Sequence, residues 1–107
     1  GTHASGFGHL GDGNIHFHVR AAPGTDPSRW YADDVPRVTR FVDDLVIAAG
    51  GSIAAEHGIG QMKIDELERL ASPARLNALR RVKAGLDPLG LLNPGKLVRV
   101  AQADATQ

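Results

Sequence analysis

Residues 14–19, Asn-Ile-His-Phe-His-Val, alternate strictly between polar and apolar. Ile15, Phe17 and Val19 face one way and Asn14, His16 and His18 the other, which is the period of a half-buried strand. Just before it stands Asp12-Gly13, the pair favoured in a two-residue hairpin turn whose central residues need positive φ. Ala22 to Ser28, with Pro23, Gly24 and Pro27, reads as a loop. The period then changes. Val38, Phe41, Val42, Leu45 and Ala49 recur at helical spacing and predict a helix from about Val35 to Ala49. Asp33 or Asp34 can cap it, Pro36 is tolerable in its first turn, and Gly50-Gly51 ends it.

Further along, Ser52 to Ala55 is a candidate short strand, and Glu56-His57-Gly58-Ile59-Gly60 a glycine-bounded turn. Lys63 to Leu70 places Ile64, Leu67 and Leu70 on one face of a short helix. Ser72-Pro73 looks like an N-cap followed by a first-turn proline. The helix it opens carries Leu76, Leu79, Val82 and Leu86 and stops near Asp87-Pro88. Leu89 to Lys96 is turn-rich, and residues 102–107 form a polar tail expected to be flexible. With no internal repeat and no linker, the pattern predicts a single α+β piece over residues 1–101: a few antiparallel strands and about three helices.

Composition narrows the function classes. The chain has 107 residues with 12 acidic and 12 basic side chains, so no bulk charge draws it to nucleic acid or an anionic membrane. No apolar run approaches the roughly 20 residues that cross a bilayer, and no signal-peptide pattern opens the chain. The absence of cysteine removes disulfides and thiolate metal sites. Gly1 falls inside what reads as a structured segment, so a fragment of a larger protein is expected.

Gly6-x-Gly8-x-x-Gly11 has the spacing of a dinucleotide fingerprint. That motif needs a strand before the glycines and a helix directly after them, whose N-terminus holds the pyrophosphate. Here the alternation follows the glycines, and no helical pattern begins before Val35. The phosphate reading is excluded on context.

The histidines suggest a metal instead. With Asp12-Gly13 as a two-residue turn, His9 falls opposite His16, β-carbons roughly 4.5–5.5 Å apart, while Leu10, Ile15 and Phe17 share the apolar face. Two imidazoles at that separation can converge on one cation. Glu56, in its glycine-flanked turn, is the best candidate for a third ligand. Two imidazoles and a carboxylate suit zinc with one open position, although iron(II) or manganese could use the same set. The bland alternative is that these histidines are simply hydrated and that Glu56-His57 is a surface turn. His18 shares the face of His16, and its role stays open between ligand, supporting contact and substrate contact.

Three segments carry a family resemblance: "FGHLGDGNIHFHV" (7–19), "GGSIAAEHGIGQMK" (50–63) and "LDPLGLLNPGKLV" (86–98). In order and spacing they resemble the C-terminal part of FAD-linked oxidases of the vanillyl-alcohol oxidase type. Within that family the chain is similar to the D-2-hydroxyacid dehydrogenases: D-lactate, D-2-hydroxyglutarate and the glycolate oxidase catalytic subunit. The resemblance implies the C-terminal fragment of a ferredoxin-like substrate (cap) domain. It implies a divalent metal, zinc by ligand type, on His9, His16 and Glu56, with His57 as the catalytic base. It also implies Asn14 and His18 on the substrate, and Asn93 and Lys96 near the flavin; for the last two a conformational role in the turn serves equally well.

Two departures matter. Position 18 is histidine where the D-2-hydroxyglutarate type tends to have asparagine, and Ala54 stands where serine is common. The FAD-binding domain and its upstream arginine and lysine are not in this sequence, so the chain alone is expected neither to bind FAD nor to turn over substrate. Joined to that domain of the same polypeptide, it is expected to oxidise a D-2-hydroxy acid to the 2-oxo acid, with hydride passing to FAD. A cytoplasmic location is expected, and a homodimer is left open. The alternatives are a non-catalytic metal-binding or interaction module, and a hydrolase using a metal-bound water.

Overall fold

A computed structural model describes residues 1–99. The order of elements is β1 (His3–His9), β2 (Asn14–Arg20), α1 (Pro27–Arg29), α2 (Val35–Ala48), α3 (Ile64–Leu70) and α4 (Pro73–Leu86). Two antiparallel strands and the helices make an α+β arrangement. The chain divides into two compact units, one of residues 1–56 and one beginning at His57. The expected tail at 102–107 and the boundary at 101 lie outside the described residues.

In the first unit, β1 and β2 form a hairpin, but its register differs from the two-residue turn. His9 pairs with Asn14, Gly8 with Ile15 and Phe7 with His16, so the loop is Leu10 to Gly13. Two local interactions favour the longer loop. The Gly13 amide donates to the His9 carbonyl at 3.0 Å, and the Asp12 carboxylate accepts from the Asn14 amide at 3.2 Å, the local bond that makes aspartate a turn former. Gly13 takes the positive φ of 71° that closes the loop; Asp12 does not share it. Leu10, expected on the apolar face, is fully exposed at the loop tip. Gly8 is fixed by sterics, because a β-carbon there would lie 1.9 Å from the Asn14 carbonyl oxygen.

The helix after the hairpin starts earlier than its apolar stripe suggests. Asp26 caps α1, accepting from the Ser28 amide at 3.0 Å, with Pro27 at the first helical position. A wide π-type turn, Trp30–Asp34, joins α1 to α2, its Val35 amide bonding back to the Trp30 carbonyl. Pro36 accounts for the widening: it brings no amide, and its ring would crowd the carbonyl four residues earlier in a regular helix. Asp34 makes no side-chain cap bond. At the far end the Gly50 amide bonds to Ile47 O and Gly51 to Val46 O, with Gly50 at φ 77°, a Schellman ending. Residues 52–55 form no strand; the Ser52 hydroxyl accepts from the Ala54 amide instead. Phe17 and Val19 from β2, with Trp30, Val35, Val38 and Val42, line a cavity of about 260 Å³.

The second unit has a closed core of Ile59, Ile64, Leu67, Leu76 and Val98. Ser72 caps α4 as its sequence predicts, accepting from the Arg75 amide at 3.2 Å. Of the α4 stripe only Leu76 is buried; Val82 and Leu86 are exposed. The end of α4 is organised by Asp87, which is buried and accepts from the amides of Leu91 and Leu92, both at 2.9 Å, and from Lys83 Nζ at 2.5 Å. The Lys83 ammonium chiefly, then the Leu92 and Leu91 amides, hold its carboxyl below the usual aspartate range against the opposing effect of burial. Arg99 ties the following segment to α3 through Asp65 at 2.5 Å and through Glu68, and these carboxylates raise its pKa. Arg80 reaches Glu68 at 3.2 Å, and Leu97 N donates to Gly60 O at 2.8 Å.

Candidate metal centre

Directly opposed residues of an antiparallel pair share a face of the ribbon. The observed register therefore puts Ser5 and His18, Phe7 and His16, and His9 and Asn14 on one side of the hairpin. Ala4, Val19, Gly6, Phe17, Gly8 and Ile15 take the other. His9 and His16 are diagonal neighbours, not an opposed pair. Their rings still meet, with centroids 5.5 Å apart in an edge-on arrangement. The register has moved by two residues from the simplest expectation. An even shift keeps every side chain on its face, whereas a shift of one would have reversed them all.

Glu56, the last residue of the first unit, brings its Oε1 to 2.8 Å from His16 Nε2. One ligand atom from each of His9, His16 and Glu56 lies within 4.8 Å of the others. A tetrahedral ion with bonds of about 2.0–2.2 Å spaces its ligand atoms about 3.3–3.5 Å apart. The distances of 2.8 Å and 4.8 Å bracket that spacing, so small rotations of the side chains would seat an ion. His16 and Glu56 are part-exposed at 30% and 41%, which leaves an approach for a small molecule. The donors, two imidazole nitrogens and a carboxylate oxygen, fit a divalent cation.

Two neighbours were not singled out from the sequence. Asp12 Oδ2 stands 3.8 Å from His9 Nδ1, close enough to bias the orientation of that ring. Its i,i+3 position in a tight loop is the signal that could have found it. Phe7 stacks on His16, and the alternation of β1 would have placed it on this face.

Among the other candidates, Asn14 is half-buried opposite His9, and His18 is exposed opposite Ser5. His57 is exposed and opens the second unit. Asn93 and Lys96 also belong to that unit. Asn93 adopts φ 46° and its carbonyl accepts from the Lys96 amide at 3.3 Å, while Lys96 Nζ bonds to Gln61 Oε1. Both residues sit in a turn closed by that backbone bond.

Residues 1–97 match the family of FAD linked oxidases, C-terminal domain, and the chain belongs to that family. Among its relatives is a D-2-hydroxyglutarate dehydrogenase of Stutzerimonas stutzeri, 41% identical over 91 residues, which are 85% of this chain and 19% of that protein. A D-lactate dehydrogenase of Archaeoglobus fulgidus is 39% identical over 93 residues, 87% of this chain and 19% of that protein. A mitochondrial D-2-hydroxyglutarate dehydrogenase of Bos taurus is 36% identical over 96 residues, 90% of this chain and 16% of that protein. The chain thus spans less than a fifth of the length of each of these three relatives. Among the described residues, no helix is long and apolar enough to cross a membrane.

Proposed function

We propose that this chain is the metal-bearing C-terminal part of an FAD-dependent dehydrogenase that oxidises a D-2-hydroxy acid to its 2-oxo acid. The observation that carries the proposal is the convergence of His9, His16 and Glu56 within 4.8 Å, in a chain of the FAD-linked oxidase family. A divalent cation held there, zinc by its ligand set, would supply Lewis acidity toward the substrate's carboxylate and hydroxyl, and FAD from the remainder of the polypeptide would supply the hydride acceptor.

The chain's own residues then have distinct tasks. His9 and His16 offer neutral imidazole nitrogens and Glu56 a negative oxygen, so two neutral donors and one anion leave net positive charge for the substrate carboxylate. Asn14 and His18 share their face and offer hydrogen bonds that orient the acid. His57 takes the hydroxyl proton as hydride leaves the adjacent carbon, the role for which an imidazole near neutral pH is suited. Asn93 and Lys96 are assigned to the flavin side. The relatives' names favour D-lactate or D-2-hydroxyglutarate over glycolate as substrate. The proposed location is cytoplasmic, with the mitochondrial name of one relative as the alternative for cell fractionation to decide.

The test uses the full-length protein. Its flavin absorption should bleach on adding D-lactate or D-2-hydroxyglutarate without oxygen, and chelation of the metal should abolish the bleaching. Equal bleaching after metal removal would strike the metal from the account and leave a flavin dehydrogenase without it; no flavoprotein at all would leave the metal-binding module as the better account.

A further inference from the structure

The hairpin face that carries the candidate ligands also carries an aromatic ring with no obvious part in the chemistry. Phe7 pairs with His16, and its ring stacks on that imidazole with centroids 5.0 Å apart and planes 12° from parallel. The same ring meets His18 at 5.4 Å, tilted by 45°. Phe7 is 62% exposed, so burial in a core does not account for it. His16 and His18 are two apart on one strand and share a face. His3, His9, His16 and His18 therefore share one side of the hairpin, yet of these only His9 and His16 join Glu56 in the ligand cluster.

We infer that Phe7 is a positioning residue that keeps His18 off the cation and so preserves a three-ligand site with room for substrate. The inference rests on the assignment of the metal to His9, His16 and Glu56. Zinc sites closed by four protein ligands are structural, and sites that act on substrate keep a position free. His18, two residues from His16 on the same strand and face, threatens that free position. The phenyl ring counters it in two ways. Stacking on His16 holds that imidazole in one plane, a favourable aromatic geometry, and the ring's bulk lies in contact with both imidazoles. Phenylalanine has no lone pair to donate, so it can border a cation without closing the site.

The test loads the full-length protein with Co²⁺, whose visible absorption reports the number and type of ligands. Wild type and His18→Ala should share one cobalt spectrum and one metal affinity. Phe7→Ala should recruit His18: the spectrum shifts, added 2-hydroxy acid no longer perturbs it, and KM rises on the order of 10–100-fold, the range through which residues around metal ligands act. Phe7→Ala/His18→Ala should return to the spectrum of His18→Ala. A merely structural loss at Phe7 would not be repaired by removing His18.

The inference is overturned if Phe7→Ala keeps the wild-type spectrum, or if it loses metal and the double variant does not regain it. It is equally overturned if His18→Ala alone weakens cobalt binding, a measurement that decides the matter even when Phe7→Ala does not fold. Failure of the metal assignment itself looks different. There Glu56→Gln would bind cobalt as wild type does, and this inference would fall with it.

Discussion

The two units of this chain solve opposite problems. Residues 1–56 contain no fully buried residue, and Phe7, Ile15, Phe17, Phe41 and Leu45 are all at least half exposed. What this unit builds is a face: a hairpin whose polar side gathers imidazoles and a carboxylate. The second unit closes a small core and ties its helices to the segments after them with ion pairs and a buried aspartate. The candidate metal ligands thus sit on the less self-sufficient half, where side chains are ordered by strand pairing and stacking more than by burial. Site geometry here depends on register and stability on packing, and the two can be perturbed separately.

The largest effect should come from the residue that opens the second unit. His57→Asn in the full-length enzyme should keep its metal and lose flavin reduction by about 10²–10⁴-fold, the usual consequence of removing a general base. Rapid-mixing absorbance beside metal analysis reads both; near-normal reduction would confine the chemistry to the first unit. Next, Leu67→Ala in the buried core should cost about 2–5 kcal/mol in denaturant unfolding. Val42→Ala, half-buried in the first unit, should cost about 1 kcal/mol. Equal costs would erase the contrast in packing.

A pH dependence follows from Asp87. Its folded pKa is depressed, so its contribution to stability is complete above the ordinary aspartate pKa and is lost as pH falls through the lower folded value. The stability gap between wild type and Asp87→Asn should therefore be constant near neutrality and shrink only in acid. A gap that instead closed with rising pH would contradict the bonds to Lys83, Leu91 and Leu92. The smallest effect is expected at the hairpin tip, where Leu10→Gln should change stability by no more than about 0.5 kcal/mol. A larger loss would restore Leu10 to the apolar face that the simple two-residue turn gives it.

Much of the architecture was legible in the sequence because its signals are local. Ser72-Pro73 opens α4 and Gly50-Gly51 closes α2 through bonds spanning a few residues, and the alternation at 14–19 specifies a strand whatever its partner does. The hairpin register was not legible. Asp12-Gly13 suits either loop length, and the choice fell to a carboxylate–amide bond and the contact at Gly8. The grouping of His9 and His16 on one face survived that difference because the shift was even. The helical start at Pro27 was readable from Asp26-Pro27 but masked by the Pro23-Gly24 turn signal just before it. The clamp at Asp87 was not, since its partners Leu91 and Leu92 carry the signal only in their amides.

The most direct test of the central claim is calorimetric titration of Zn²⁺ into the metal-stripped full-length protein, wild type beside Glu56→Gln. The account predicts one ion bound by wild type, with affinity weakened more than about 100-fold by the substitution, since a lost ligand should exceed the 10–100-fold effect of an outer-shell partner. Glutamine keeps the shape of the side chain and removes its charge, so folding should be preserved. Equal zinc affinity in the two proteins would contradict the site formed by His9, His16 and Glu56.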